Sequence, residues 1–498
     1  NLTTAKSIER AREVGIRKTL GALSQSLTIQ YYFESLLFCL IAMLAALFLA
    51  GVFLPFYNHL TNLSFSIGDL VAPSFIYQMA MALVAISILS GLYPALSLNN
   101  FKPGEVLKGA ITMSTKGKSL RNGLVVFQFF ISAILIVATL IILRQLEYMK
   151  TKELGFDQDA LIALRLYPSV EIGGIDTDNV RLMESKLMDI PGVIGTSVVS
   201  NLPGGQFNQA AVFLRDRPEA RIDVSELFVD YDTPEVLGLE LIEGRTFDRS
   251  FAADSSGNNY IINQRTVDLL NLENPIGKTL GWFQAGESGY GTIIGIVKDF
   301  HFESLHKEIQ PLVISLAVQE ANHLIVKLEG SDFQKTLAEI AEIYISIETQ
   351  SDFEYIFLDD QLEELYNSEV RTLNIFSIFA AIALFLACMG LLGLAIALLN
   401  QSVKEIGIRK ILGARSFDIF TMILSQFLKL IGISLLLGLP VGYLLMQVWI
   451  SEFSYQAPFG ISPFLFATLT LTVVAIMSVS IVIVKIAHTN PADTLRYE

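Results

Sequence analysis

Two charged segments of this chain are near-copies of each other, 392 residues apart. The first, EVGIRKTLGA, occupies residues 13–22, and the second, EIGIRKILGA, occupies residues 405–414. Each has a glutamate four residues before an arginine, the order and spacing that favour an ion pair along one face of a helix. Apolar residues four apart form the neighbouring face, so each copy is predicted to be a short amphipathic helix. A duplication at this distance indicates two equivalent half-proteins.

The charged and glycine positions of the two copies are the candidate site residues. They are Glu13, Gly15, Arg17, Lys18, Gly21, Glu405, Gly407, Arg409, Lys410 and Gly413. A basic anchor on a membrane surface is the alternative interpretation, but attraction to lipid headgroups needs only positive charge. The repetition of a glutamate, two glycines and an Arg-Lys pair therefore favours a more specific role.

No catalytic constellation accompanies these segments. A phosphate-binding loop requires a glycine five residues before Gly-Lys-Ser or Gly-Lys-Thr. Thr112 stands at that place before Gly117, and Leu272 stands there before Gly277. We therefore expect no nucleotide site, no cofactor and no enzyme activity in this chain.

Two groups of side chains have the types that bind cations. His301 and His306 lie near Asp299, but they fall in a predicted strand and its exit loop, which argues against a metal site. The acidic residues within 359–364 are better explained as the solvated face of a helix. We expect no metal in this chain.

Composition places the chain in a membrane. Of its 498 residues 52% are hydrophobic and 17% charged, and the mean hydropathy is +0.51, outside the range of soluble globular proteins. The net charge of -14 is unevenly distributed: residues 144–371 hold 18 Lys and Arg against 39 Asp and Glu, and the remainder holds 17 against 10. An acidic soluble domain is therefore predicted between basic membrane-associated parts.

The fold class expected is a polytopic α-helical membrane protein with one extracytoplasmic α+β domain. Its six predicted spans are 36–54, 75–98, 123–143, 371–399, 430–450 and 463–484. The predicted cytoplasmic parts, 1–35, 99–122, 400–429 and 485–498, carry Lys or Arg, whereas both short outer loops carry none, as the positive-inside rule requires. Residues 144–370 are the predicted outer domain with its stalk.

Short strands are predicted in that domain at 160–166, 260–262, 292–297 and 324–328, with amphipathic helices at 180–188 and 333–345. The duplication also extends beyond the charged segments, because Pro103, Leu107 and Lys108 recur as Pro491, Leu495 and Arg496. If the repeat is complete, the first half lacks two spans and an outer domain before Asn1, so the intact protein is expected to have eight spans.

In these residues the chain resembles the MacB/FtsX-like permeases of ABC transporters, most closely the long two-module versions common in Bacteroidetes. The resemblance covers essentially the whole chain. It is carried by the two charged segments, the tail 490–498, and the stretches 244–247, 274–278 and 295–300 of the outer domain. The resemblance implies that the outer domain has the MacB periplasmic-core fold.

The resemblance implies a permease subunit without a cofactor of its own. Its charged segments would dock on a separate cytoplasmic ABC ATPase, expected as a dimer, which binds the ATP and Mg²⁺; the glycines would permit close approach or a helix end. The chain would lie in the inner membrane, in contact with lipid, with 144–370 in the periplasm.

The leading functional hypothesis is export or extraction of lipoproteins, peptides or hydrophobic compounds, with a periplasmic adaptor, lipoprotein or hydrolase as a further partner and no nucleic acid. The alternative is a regulator of a periplasmic cell-wall hydrolase, or a sensor of peptide stress, without transport.

Overall fold

The computed structural model describes residues 17, 20, 22–61, 63–99, 115–158, 160–168, 175–284, 287–330, 332–348, 352–413 and 415–487. Contacts within the chain divide it into two units. The helical unit comprises Asn1–Arg144, Glu369–Trp449 and Pro458–Glu498, and the soluble unit comprises Gln145–Ser368 and Ile450–Ala457.

Four helices of the described residues precede the first strand: α1 (Ser24–Thr61), α2 (Ile67–Leu70), α3 (Pro73–Asn99) and α4 (Thr115–Thr151). The predicted end of the first span at Pro55 is wrong, because α1 continues through that proline. Proline lacks the N–H that would bond the carbonyl of Gly51, a loss that membrane helices commonly tolerate. The predicted loop 99–122 is also shorter than expected, since α4 already begins at Thr115; its residues 100–114 lie outside the described residues.

The soluble unit combines eleven strands in one sheet with short helices. The strands are Leu161–Arg165 (β1), Val193–Val199 (β2), Asn208–Leu214 (β3), Arg217–Val229 (β4), Leu241–Gly244 (β5), Asn259–Asn263 (β6), Thr279–Gln284 (β7), Glu287–Val297 (β8), Leu312–Leu316 (β9), His323–Leu328 (β10) and Tyr355–Phe357 (β11). The helices are Thr177–Met188 (α5), Thr233–Val236 (α6), Ala252–Ser255 (α7), Gln264–Leu270 (α8), Phe333–Ile347 (α9) and Leu358–Glu364 (α10).

The sheet has an open part and a closed part. Its order is β11-β1-β10-β2-β4-β3-β7-β8-β6-β9, and a parallel pairing between β4 and β9 returns the ladder to β4. The 13 residues of β4 make this possible, because Asn208–Leu214 pairs with its first part and Leu312–Leu316 with residues 225–229. The closed ladder thus consists of the six strands β4, β3, β7, β8, β6 and β9. The open extension consists of β11, β1, β10 and β2.

Each part of the sheet has its own apolar core. Helices α5 and α9 cover the open part through buried residues such as Met183, Leu187 and Tyr344. The closed ladder and α8 enclose a second core around Val212, Ile262 and the neighbouring strands. All four predicted strands and both predicted helices are present, with bounds that differ from the predicted ones by at most five residues. This confirms an α+β domain.

Three long helices complete the chain: α11 (Asn367–Ile411), α12 (Ser416–Ile450) and α13 (Ser462–Ala487). With α4 they share one core, whose buried members are Val125, Phe129, Ala133, Ala387, Leu391, Leu394, Ala395, Ile423, Phe427, Ile431, Leu435, Leu471, Ala475 and Val479. By length and composition, five helices of the described chain suffice to cross a membrane, namely α1, α4, α11, α12 and α13; α3 has a shorter apolar stretch, Pro73–Ile88.

Candidate functional site

The second charged segment forms the end of one long helix and the turn into the next. Helix α11 ends at Ile411, and Gly413 follows with φ +91, a left-handed conformation that glycine adopts without strain. The backbone N–H of Arg415 then donates to Asp418 Oδ2 at 2.9 Å in the first turn of α12. Gly413 therefore lies just after a helix end, and the role of the glycines in docking stays a prediction.

The arginine of each copy contacts the following helix at the same sequence spacing, through different partner atoms. Arg409 Nη1 lies 2.7 Å from Met422 Sδ, and Arg17 Nη1 donates to Gln30 Oε1 at 3.3 Å. Both partners stand 13 residues after the arginine. The two contacts therefore differ by the same offset of 392 residues that separates Ser24 and Ser416, the first residues of α1 and α12.

An exposed leucine precedes the last glycine in each copy. Leu20 is 81% exposed and Leu412 is 80% exposed, and they occupy equivalent positions of the repeat. Single exposed apolar side chains are common on protein surfaces, so this shared exposure is a similarity between the two copies and does not by itself mark a contact surface.

The remaining candidate site residues are only partly described. Glu13, Gly15, Lys18 and Gly21 lie outside the described residues, and Glu405, Gly407 and Lys410 are helical in backbone, with side chains outside the description. The ion pairs expected between the glutamate and arginine of each copy, and the docking role of all ten residues, stay predictions.

The sequence also did not reveal the contacts of the short loop between α12 and α13. Residues 450–457 of this loop belong to the soluble unit. The buried side chain of Gln145 donates from Nε2 to the carbonyl of Tyr455 at 2.8 Å and accepts at Oε1 from the N–H of Ala457 at 2.8 Å. The N–H and hydroxyl of Ser454 both donate to the carbonyl of His306, at 3.2 and 2.8 Å.

Ring contacts complete the attachment of this loop. The His306 ring stacks on Phe453 with centroids 4.6 Å apart, and the His301 ring meets Tyr455 edge-on at 4.7 Å. The ammonium of Lys152 lies 3.4 Å from the centre of the Tyr455 ring. Burial and that ammonium lower the pKa of His301 to about 4, so its ring is neutral at pH 7.

Among the described residues, no group of three or more His, Cys, Asp or Glu side chains is arranged to hold a metal ion. His301 and His306, the histidines singled out in the sequence, contact the loop instead. In the acidic stretch 358–364, Glu363 forms an exposed ion pair with Lys150 at 2.6 Å, as a solvated helix face does.

The long apolar helices and the α+β unit define a polytopic membrane protein that carries one soluble domain. Comparison with known families agrees: the model of the "FtsX-like permease C-terminal" family matches residues 1–103 and 377–491. These two stretches contain the two charged segments and the helices that follow them. In these two stretches the chain is similar to FtsX-like permeases, and each stretch contains one copy of the internal repeat.

Known relatives point the same way. The macrolide export ATP-binding/permease protein MacB of Bartonella quintana is 25% identical over 225 residues, which cover 41% of this chain and 33% of that protein. The uncharacterized ABC transporter permease YknZ of Bacillus subtilis is 24% identical over 280 residues, 53% of this chain and 67% of YknZ. The chain therefore spans between a third and two thirds of the length of these two relatives.

Among solved structures, the periplasmic region of MacB from Actinobacillus actinomycetemcomitans matches 44% of this chain and 98% of its own length, with 12% identity and a TM-score of 0.31.

Proposed function

We propose that this chain is the membrane subunit through which a separate cytoplasmic ABC ATPase moves a periplasmic domain. The ATPase binds ATP and Mg²⁺ and docks on the two repeated segments, the permease lies in the inner membrane, and the soluble unit stands in the periplasm.

The observation that carries the proposal is the equivalence of the two arginine contacts. Arg17 and Arg409 are each held against the helix that follows, at the same spacing, and each is accompanied by an exposed leucine, Leu20 or Leu412. Two matched surfaces suit a partner that is itself a dimer, because each ATPase subunit can then bind one copy.

The chain also provides the route for transmission of movement. It passes between the helical and soluble units after Arg144, before Glu369 and at both ends of the segment 450–457. A displacement of the helices is therefore passed on through covalent backbone at four points. Such a mechanism requires no path for a substrate through the bilayer.

The work done by this movement is proposed to be export or extraction of a lipoprotein, a peptide or a hydrophobic compound. One relative is named a macrolide exporter, and the acidic composition of residues 144–371 suits cationic or amphipathic cargo more than anionic cargo. The other hypothesis, regulation of a cell-wall hydrolase or a peptide-stress signal without transport, uses the same movement and is an outcome of the experiment.

The experiment compares Arg409→Glu with Lys186→Glu, a matched charge reversal at an exposed position of the soluble unit. The full chain is purified with its co-purifying ATPase, and ATP hydrolysis and complex recovery are measured. We expect Arg409→Glu to lose ATPase association, since like charges placed together at an interface cost several kcal/mol, while Lys186→Glu retains it. Equal association in both variants would overturn the docking role.

The same preparation separates the two kinds of work. Reconstituted vesicles that accumulate or release cargo with ATP support export. If ATP instead changes only the binding or activity of a co-purifying hydrolase or kinase, the transport hypothesis is wrong and the regulatory one is retained.

A further inference from the structure

The side chain of Glu226, on β4, is a buried carboxylate without a hydrogen-bond donor. Glu226 is 8% exposed. Among the described residues, none donates a hydrogen bond to its carboxylate and none forms an ion pair with it. Burial, together with the charge of Glu320, raises its pKa. An ionised group buried without a partner is costly, so a carboxylate of this kind in a native fold requires an explanation.

The other two buried carboxylates of the described soluble unit are satisfied. Asp254 accepts hydrogen bonds from the guanidinium of Arg245 and from the amide of Asn259. Asp230 accepts them from the hydroxyl of Ser197 and from the N–H of Thr233. The fold therefore supplies donors to its structural carboxylates, and Glu226 differs from them in having none.

Glu226 lies on the face of β4 that borders the core of the closed ladder. The register of β4 with β3 is regular from Val224 to Glu226, so these two side chains share one face of the strand. Val224 packs in that core with Tyr260, and Trp282 packs against it. Burial raises the pKa of Tyr260, and the charge of Glu226 raises it further, so the phenol is within electrostatic reach of the carboxylate.

Two aromatic rings are held in place near this carboxylate. The rings of Tyr260 and Trp282 meet edge-on, with centroids 5.5 Å apart. A Cβ added at Gly291 would strike the Tyr260 ring, so glycine on β8 lets this ring lie against the backbone. Aromatic rings and a carboxylate are both groups that attract organic cations, the rings through their negative faces.

We propose that Glu226 is the anion of a binding site for an organic cation, an ammonium or guanidinium group whose apolar part contacts the rings of Tyr260 and Trp282. The bound cation neutralises the carboxylate and donates the charge-assisted hydrogen bonds that the protein does not supply. Glu320, which is exposed, adds negative charge that attracts such a ligand. The site consists of residues of the soluble unit, and the inference is independent of the proposed function.

A proton and a metal ion are the competing occupants. A proton removes the charge of Glu226 but leaves the carboxyl group without a hydrogen-bonding partner. Among the described residues, no three His, Cys, Asp or Glu side chains are arranged to hold a metal. Glu226 and Glu320 alone provide fewer ligands than the six or more that Ca²⁺ takes. Both occupants are distinct outcomes of the test below.

The test uses the full chain in detergent with Trp449→Phe, which leaves Trp282 as the single tryptophan, since the chain has two. The probe is n-butylammonium chloride, and n-butanol and sodium butyrate are its neutral and anionic analogues of the same length. Tryptophan emission and melting temperature are measured at pH 7 and constant ionic strength. Glu226→Gln is compared with Glu219→Gln, an exposed position on the same strand.

We expect butylammonium to change the emission of Trp282 and to raise the melting temperature in the parent and in Glu219→Gln, whereas butanol and butyrate do neither. In Glu226→Gln its apparent Kd should increase by about tenfold or more, the ratio that about 1.4 kcal/mol of lost ion pairing produces. Without ligand, Glu226→Gln should melt at the same temperature or higher, because it removes an unpaired buried charge. A lower melting temperature would mean a structural role and overturn the proposal.

Three further results would also overturn it. Equal affinity for butylammonium in Glu226→Gln and in the parent, or no response in either, would mean that the carboxylate binds no organic cation. A response that depends on Glu226 and follows MgCl₂ or CaCl₂ but not butylammonium would mean a metal site. A response that depends on Glu226 and follows pH alone would mean that a proton is the occupant.

Discussion

The side chain of Gln145 is joined to the backbone at Tyr455, 310 residues further along the chain, by a hydrogen bond of 2.8 Å. The same amide also accepts the N–H of Ala457, so one buried glutamine satisfies a backbone acceptor and a backbone donor of the loop. Both are backbone groups, so no substitution within the loop removes the carbonyl, and only proline at position 457 removes the N–H. Gln145 is therefore the residue on which attachment of this loop depends most.

Replacement of Gln145 by leucine is expected to release the loop. Leucine keeps most of the volume but leaves the Tyr455 carbonyl and the Ala457 N–H without their partner, and each unsatisfied buried group costs about 1–3 kcal/mol. We expect the free energy of unfolding of the soluble unit to fall by roughly 2 kcal/mol or more, and residues 451–457 to become sensitive to protease. Gln264→Leu is the control, because Gln264 bonds an exposed carboxylate, that of Asp268. Similar protease patterns in the two variants would contradict this role of Gln145.

A glycine near the end of the same loop supports a second attachment, within the helical unit. Gly460 has φ +58, and a Cβ there would lie 2.6 Å from Arg144 Nη1. That nitrogen donates to the carbonyl of Phe459 at 2.8 Å and to Ser462 Oγ at 3.2 Å. Alanine at position 460 would therefore be strained and would displace the guanidinium from both acceptors.

Gly460→Ala is expected to lower the melting temperature of the detergent-purified chain, since the left-handed conformation alone costs about 1–2 kcal/mol in a residue with a Cβ. Gly432→Ala is the matched control, because no atom lies within 4 Å of a Cβ built there and its φ is not left-handed; alanine within a helix is worth about 0.5–1 kcal/mol over glycine. If both variants melt at the same temperature, the strain argument is wrong.

Much of the fold could be read from local pattern, and the sequence signatures now have physical reasons. A Cβ at Gly244 would strike the carbonyl of Ile294, and one at Gly295 would strike that of Arg245. The stretches 244–247 and 295–300 therefore require glycine at these positions, where the paired strands β5 and β8 approach each other closely. The long apolar helices were predictable from composition, because about 20 apolar residues suffice to span a bilayer.

What the sequence did not predict are features made by distant contacts. The parallel pairing of β4 with β9 closes the ladder between residues 87 positions apart, and strand periodicity carries no information on such pairings. The membership of residues 450–457 in the soluble unit depends on Gln145 and on His306, far away in the chain. At Pro55 a local signal gave the wrong prediction. Proline usually ends a helix, but the long apolar helix α1 continues through it.

The ion pair of Arg245 and Asp254 gives a prediction about acid stability. Arg245 donates from Nη1 and Nη2 to the two carboxylate oxygens of Asp254, at 2.6 and 2.9 Å, and the N–H of Asp248 and the amide of Asn259 donate to the same carboxylate. Burial alone would raise the pKa of Asp254, but these hydrogen bonds outweigh it and lower the pKa below its ordinary value.

A lowered pKa means that the unfolded chain binds the proton first as pH falls. The stability due to Asp254 is then complete above its ordinary pKa of 3.8 and is lost as pH falls through the lower folded value. Asp254→Asn is expected to lower the free energy of unfolding at pH 7 by roughly 3 kcal/mol, the low end for a broken buried pair because Arg245 is partly exposed. It should also reduce the loss of stability on acidification below pH 4, measured by denaturant unfolding. Asp178→Asn, at an exposed side chain, is the control, and an unchanged acid profile in Asp254→Asn would contradict the assignment.

Glu184 has the opposite pKa shift and predicts a loss of stability as pH rises from 4.5 to about 8. Burial, together with the nearby carboxylates of Asp230 and Asp232, raises its pKa to about 8. The carboxylate of Asp230 is held in position, because it accepts hydrogen bonds from the hydroxyl of Ser197 at 2.6 Å and from the N–H of Thr233 at 3.0 Å. The proton between the two carboxyl groups is therefore assigned to Glu184.

In the unfolded chain Glu184 loses its proton near the ordinary value of 4.5, whereas in the folded chain it keeps it to about pH 8. Between these values the folded state binds the extra proton, so the free energy of unfolding decreases as pH rises and levels off above about 8. Glu184→Gln keeps a neutral, hydrogen-bonding side chain at every pH and is expected to remove this decline, which thermal unfolding between pH 5 and 9 would measure. Glu329→Gln, at an exposed position, should leave the decline in place. A decline that persists in Glu184→Gln would assign the proton to a different group, because the amide has none to release.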